Sequence, residues 1–127
     1  MSHFTKIRTK LVDENTLRAA LKRLGYSPED TGDGVRGWQG IKTTADFKIT
    51  PHKGDYEIGF VKQSGTYSIV ADWYGVHSTS ESRFAANVTQ AYGVEGTLST
   101  LTAQGFELGE ELHDRDGTVR LTLRRSA

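Results

Sequence analysis

A chain of 127 residues is the length of one domain built on one core. Lys plus Arg and Asp plus Glu number 16 each, so the net charge is zero, which argues against bulk electrostatic capture by nucleic acid or anionic membrane. There is no cysteine, which excludes disulfides, thiolate metal sites and thiol nucleophiles together.

The opening, Met1-Ser2-His3-Phe4-Thr5-Lys6, lacks an apolar signal core. No later run approaches the roughly 20 apolar residues that span a bilayer, so a cytoplasmic chain without membrane contact is expected. Residues 3–11 alternate as a first strand: Thr5, Ile7, Thr9 and Leu11 share one face, Phe4, Lys6, Arg8 and Lys10 the other. Asp13 caps a helix whose apolar stripe is Leu17, Ala20, Leu21 and Leu24. Lys22 and Arg23 suit its negative end, and Gly25 stops it so that Tyr26 folds back on Leu21.

Residues 27–40 are rich in Gly, Asp and Pro and read as a loop. A second strand is expected from 42 to 50 with Ala45, Phe47 and Ile49 inward, then a turn over 51–55. A third runs over 56–62 with Tyr56, Ile58 and Phe60 inward. Ser64-Gly65 turns the chain into a fourth over 66–74, with Tyr67, Ile69, Ala71 and Trp73 on one face. Ser78-Thr79-Ser80-Glu81 has capping-box spacing. The helix it opens keeps Phe84, Val88, Ala91, Val94, Leu98 and Leu101 on one side and ends at Gly105. Gly93 and Gly96 inside it each cost up to about 1 kcal/mol against alanine, so a kink is a possible outcome there. The last stretch is a hairpin: Phe106, Leu108 and Leu112 lead to a turn at 113–117, and Val119, Leu121 and Leu123 lead away from it.

These elements predict a single α+β domain, 1–127, with a mostly antiparallel sheet and two helices on one face. The order is β-α-β-β-β-α-β-β, broadly ferredoxin-like. Leu21-Gly25-Tyr26 and Leu101-Gly105-Phe106 repeat the same spacing. Two ordinary glycine-terminated helices explain the repeat, and a duplicated β-α-β-β unit is the alternative.

Short motifs along the chain resemble one family. They are Met1-Ser2-His3-Phe4, Val35-Arg36-Gly37-Trp38, Tyr56-Glu57-Ile58-Gly59-Phe60 and Val70-Ala71-Asp72. The series continues with Asn87-Val88-Thr89-Gln90-Ala91-Tyr92, Gly105-Phe106 and Asp116-Gly117-Thr118-Val119-Arg120-Leu121. Together they look like the conserved hypothetical reading frames of plastids and cyanobacteria, a domain of unknown function also found in other bacteria and phages. The resemblance implies an accessory role beside an AAA-type ATPase and small ferredoxin-like proteins. The stretch Tyr92-Gly93-Val94-Glu95-Gly96 departs from that pattern and puts the rigidity of the second helix in question.

No residue set dictates catalysis. His3, His52, His77 and His113 show no H-x-H or H-x-x-x-H pair, and His3, His77 and Asp72 meet only if the fold brings them together. Asp114-Arg115-Asp116-Gly117 opens like a calcium loop but has no closing Glu, so it reads as a turn. Gly32-Asp33-Gly34 lacks the Lys-Ser/Thr of a phosphate-binding loop, and Ser78, Ser80 and Ser82 are accounted for by capping. No cofactor or metal is expected.

Two surfaces remain. If one sheet face packs on the helices, the other gathers Phe4, Lys6, Arg8, Lys10, Lys48, Arg120 and Arg124, a basic and aromatic set of the kind that holds single-stranded nucleic acid. Asp46 and Glu57 dilute its charge. Arg36, Trp38, Asp72 and Tyr74 are candidates for a ligand groove or for closing a core edge. The expected function is a non-catalytic adaptor for a partner protein. The alternatives are a single-strand nucleic-acid binder and a small hydrolase or nucleotide-binding enzyme.

Overall fold

The structure, a computed structural model, describes residues 3–125, so Met1 and Ser2 of the opening motif lie outside the described residues. It is an α+β domain in which two helices cover one face of a five-stranded antiparallel sheet, flanked by two small two-stranded sheets.

The main sheet has the order β1-β7-β6-β5-β2, with β1 at Thr5–Arg8, β2 at Glu29–Asp30, β5 at Phe47–Ile49, β6 at Ile58–Gln63 and β7 at Thr66–Ala71. Its centre is the expected meander, and the pairs Phe60↔Ile69 and Phe47↔Phe60 put one apolar set on one side. The first strand lies antiparallel to β7, with Ile7 opposite Ile69 and Arg8 opposite Ser68. Helix α1 (Glu14–Arg23) starts where the Asp13 carboxylate accepts the Thr16 amide at 2.8 Å. It ends where Gly25 adopts φ 91°, and the Tyr26 amide donates to the Leu21 carbonyl at 2.9 Å. Helix α2 (Glu81–Ala103) runs unbroken through Gly93 and Gly96. Its cap is Ser80, which accepts the Arg83 amide, two residues later than the capping-box spacing from Ser78 places it; the Ser78 hydroxyl goes to Asp55 instead. Gly105 repeats the positive φ of Gly25, at 92°.

Between the layers Leu17, Leu21, Phe47, Ile49, Ile58, Phe60, Ile69, Phe84 and Val88 are fully or almost fully buried. Each large side chain among them contributes about 1.5–3 kcal/mol on transfer from water. The Phe47 and Phe60 rings stack at 5.1 Å, and Trp73 and Tyr26 both lean on Phe84.

Three expectations about elements need correction. The stretch read as one strand over 42–50 is two: β4 (Lys42–Thr43) pairs with β3 (Val35–Arg36) in a separate flap, and only 47–49 join the main sheet. The interruption turns Ala45 away from Phe47, so it meets Gly59 on the reverse side of the sheet instead of pointing inward. The loop 27–40 contributes β2 at the sheet edge and β3 in the flap. The fourth strand stops at Ala71, because Asp72 caps a 3-10 turn at Trp73–Gly75 through the Tyr74 amide.

The closing hairpin, β8 (Phe106–His113) and β9 (Val119–Arg125), forms and bends at a bulge between Leu108 and Glu110. It does not join the five-stranded sheet. The echo between Leu21-Gly25-Tyr26 and Leu101-Gly105-Phe106 is therefore one of helix endings, since the strands that follow belong to different sheets.

Candidate functional site

The reverse face of the main sheet is where the basic set was expected, and the fold divides that set. Alternation does place Lys6 and Arg8 there, in register with Val70 and Ser68. The β3–β4 flap covers the centre. Val35 is fully buried, and a Cβ at Gly59 would fall 2.5 Å from its Cγ2, so the glycine is what lets the flap close.

Lys48 lies beneath the flap at 8% exposure, not on a free surface. Its ammonium donates to the Gly34 carbonyl at 3.0 Å and pairs with Glu57 at 3.0 Å. The second oxygen of Glu57 accepts the Arg36 amide at 2.7 Å, which ties the flap to the sheet. Arg120 and Arg124 are on the hairpin, held by Asp114 and Glu107 at 2.8 and 2.7 Å. Lys10 is exposed in the bend after β1. Phe4 turns toward the flap, where a Cβ at Gly37 would meet its ring at 2.7 Å. The reverse face is thus roofed at its centre, and the expected continuous basic surface does not form. Alternation fixes which side of a strand a residue takes and says nothing of what covers that side.

Three of the four groove residues come together, and Arg36 does not join them. Asp72 is nearly buried and accepts the Trp38 amide on Oδ2 at 3.2 Å and the Tyr74 amide on Oδ1 at 3.3 Å. It thereby holds the flap against the end of β7. The Trp38 and Tyr74 rings meet edge to face at 5.8 Å, and Tyr74 is 65% exposed. His3, Phe4, Trp38, Ile41 and Asp72 line a shallow hollow of about 180 Å³. Arg36 turns from it, donating to the Asp55 carbonyl at 3.2 Å with its guanidinium 5.7 Å from the Tyr56 ring. Both oxygens of Asp72 are engaged by backbone, so its role here is to shape the loop.

Asp55 does the same work between distant segments. Its carboxylate accepts the His77 amide at 2.9 Å and the Ser78 hydroxyl at 2.5 Å, 22 and 23 residues along the chain. Burial pushes its carboxyl up, but these bonds outweigh burial and leave it below the usual carboxylate value. Sequence reasoning read this residue only as part of a turn, and no local signal marks so distant a partner.

The third region is the hairpin and its clasp to the helices. Arg23 of α1 reaches Glu95 of α2 at 2.8 Å and Glu111 of β8 at 2.6 Å, and Glu111 also contacts His113 at 2.6 Å. Bonds from Arg23 and His113 hold the Glu111 carboxyl below its ordinary value, and the bond to Glu111 raises Arg23. A cavity of about 170 Å³ lies within the clasp. Beyond it burial is poor: no strand residue of the hairpin is buried, and Leu108 and Leu112 are 41% and 49% exposed. In α2 the buried residues are Phe84, Val88 and Ala91, all in its first half.

A family model described as a protein of unknown function, DUF1257, matches residues 20–122. The chain belongs to this family. The uncharacterized protein ycf35 of Cyanophora paradoxa is 32% identical over 126 residues, which cover 98% of both chains. The ycf35 proteins of Guillardia theta and Pyropia yezoensis are 32% and 29% identical, again over 98% of both chains. These relatives agree with the plastid and cyanobacterial family that the sequence motifs resemble. No solved structure matches the chain.

The stretch that matches DUF1257 includes the last turn of α1, the flap, all of α2 and most of the hairpin, so the clasp and the Asp72 anchor lie within it. Among the described residues of this DUF1257 chain, no three His, Asp or Glu side chains converge as metal ligands, and His77 meets Asp55 through its backbone amide. No helix among them is long and apolar enough to cross a membrane.

Proposed function

We propose that this DUF1257 chain is a non-catalytic docking module that binds a partner protein through the β8–β9 hairpin and the adjoining second half of α2. The observation that carries the reading is the hairpin's burial. Its strands hold Phe106, Leu108, Leu112, Val119, Leu121 and Leu123, yet none of its fifteen strand residues, eight in β8 and seven in β9, is buried. A lone two-stranded hairpin is marginal in water, and apolar side chains left half-covered gain by finding a second surface. In the second half of α2, Gly93, Gly96, Thr97, Thr100 and Leu101 line, with Tyr92, an open, mostly apolar hollow.

The partner is a different protein and not a second copy. Strand β8 carries Glu107, Glu110 and Glu111, and β9 carries Arg120, Arg124 and Arg125. Pairing either edge with itself about a twofold axis sets like charges opposite one another. An AAA-type ATPase is the partner class the family resemblance implies. Nucleic-acid binding over one basic sheet face loses its surface to the flap, and a catalytic set of His3, His77 and Asp72 loses the Asp72 carboxylate to backbone amides.

The test is crosslinking with mass spectrometry on the full chain mixed with an AAA-type ATPase purified from the same organism. The expected result is ATPase peptides joined to hairpin residues, lost in Leu108→Glu/Leu112→Glu while the circular dichroism spectrum is kept. Crosslinks only to a second copy, or an ATPase that leaves the hairpin untouched, would overturn the reading.

A further inference from the structure

Where the flap stops covering the reverse face, the sheet leaves a cleft of about 230 Å³ lined by Lys6, Arg8, Gln63, Ser64 and Ser68. Its chemistry differs from that of the six Lys and Arg positions that form ion pairs among the described residues. Arg18, Arg23, Lys42, Lys48, Arg120 and Arg124 each sit against a carboxylate. Lys6 and Arg8 stand two residues apart on the same face of β1, and no carboxylate lines the cleft between them.

The Lys6 ammonium donates to the Gln63 carbonyl oxygen at 3.3 Å, which leaves N–H groups free. Arg8 makes no ion pair or side-chain hydrogen bond among the described residues. Ser68, opposite Arg8 in the ladder, is only 5% exposed, yet its hydroxyl has no partner among them either. Ser64 closes the rim from the β6–β7 turn, where φ 54° and then φ 86° at Gly65 make a two-residue reversal. Two adjacent like charges with no counter-ion repel, and the Ser68 hydroxyl beside them is left to solvent.

We infer that this cleft binds a phosphate group, as free phosphate or as the terminal group of a phosphorylated molecule. A tetrahedral dianion supplies what the lining lacks: two negative charges for Lys6 and Arg8, and acceptor oxygens for the hydroxyls of Ser64 and Ser68. Arg8 offers the fork that takes two oxygens at once, and Lys6 acts as a point charge. The cleft is bounded by the β6–β7 turn, so it suits one group and not a continuous strand backbone. It shares no residue with the hairpin, so its fate and that of the docking reading are separable.

The experiment is an amide-shift NMR titration of the full chain with inorganic phosphate, phosphoserine and a nucleoside 5′-monophosphate, each at ionic strength matched with sodium chloride. Saturable shifts at Ser64, Gly65 and Ser68 are expected, with dissociation constants on the order of millimolar. Arg8→Gln should weaken binding by about tenfold or more, Ser68→Ala should weaken it less, and Lys22→Gln on the outside of α1 should not change it. Tighter binding of one ester names it as the source; equal binding of all three names free phosphate. Shifts matched by chloride alone, shifts that do not saturate, or full binding by both Arg8→Gln and Ser68→Ala would overturn the inference.

Discussion

Replacing Glu57 by alanine leaves an ammonium group under the flap with its main partner gone. In the native protein Lys48 is 8% exposed and lies 3.0 Å from the Glu57 carboxylate. At an effective dielectric of about 20 that separation is worth roughly 5 kcal/mol of gross attraction, most of it offset by the desolvation of both ions. Removing one partner loses the attraction and keeps the desolvation, a cost of about 3–5 kcal/mol in an enclosed site. Lys48 retains the Gly34 carbonyl and some access to water, which lowers the expected cost to about 2–4 kcal/mol. The Arg36 amide also loses its acceptor, so the flap loosens together with the pair. Urea unfolding followed through Trp38 and Trp73 fluorescence measures the loss, and hydrogen exchange across residues 35–43 should accelerate. Lys48→Met with Glu57→Gln removes both charges, keeps an acceptor for Arg36 and fills the same space. That double variant should come within about 1 kcal/mol of the native protein and be more stable than Glu57→Gln alone. A Glu57→Ala cost below about 0.5 kcal/mol would mean that the pair behaves as a surface ion pair and that the flap does not seal this face.

Two further outcomes are expected. Gly93 is helical, and a Cβ there meets nothing within 4 Å, so Gly93→Ala should raise the unfolding free energy by about 0.5–1 kcal/mol in chemical denaturation. Asp55 and Glu111 both carry carboxyls held below their ordinary values in the folded chain. Their contribution is therefore complete above the unfolded values of about 3.9 and 4.3, and drains away as pH falls through the lower folded values. Stability measured from pH 7 to pH 3 should hold level above about pH 5 and then drop, with a shallower drop in Asp55→Asn. A drop of unchanged steepness in that variant would place the acid sensitivity elsewhere.

The candidate site was legible only where its chemistry is local. Arg36 of the groove set turns away to Asp55, but Asp72 and Tyr74 at a strand end and Trp38 in a glycine-rich loop are residues that do meet. The reason they meet is capping of two backbone amides and not a vacant carboxylate. The Arg23–Glu95–Glu111 clasp was hidden, because a basic residue in the last turn of a helix is already explained by the helix dipole. Lys48 was misplaced because a lysine between Phe47 and Ile49 reads as solvent-facing until a partner for its charge is known. Arg120 and Arg124 were assigned to the main sheet because alternation has no means of showing which sheet a hairpin joins.

Sequence by itself determined the α+β class, both helices, the Asp13 cap of the first, the central meander and the closing hairpin. Those features rest on contacts a few residues apart: the Asp13 cap, the positive φ of Gly25 and Gly105, and the alternation through Phe60 and Ile69. Tertiary structure decided the rest. The two-residue strands of the flap have almost no signal of their own and exist because Val35 finds a place against Gly59 and because Glu57 joins Lys48 to Arg36. The separation of the hairpin from the main sheet, which leaves its leucines half-covered, is likewise a matter of long-range pairing, for which the loop-closure entropy is recovered only once the whole core has formed.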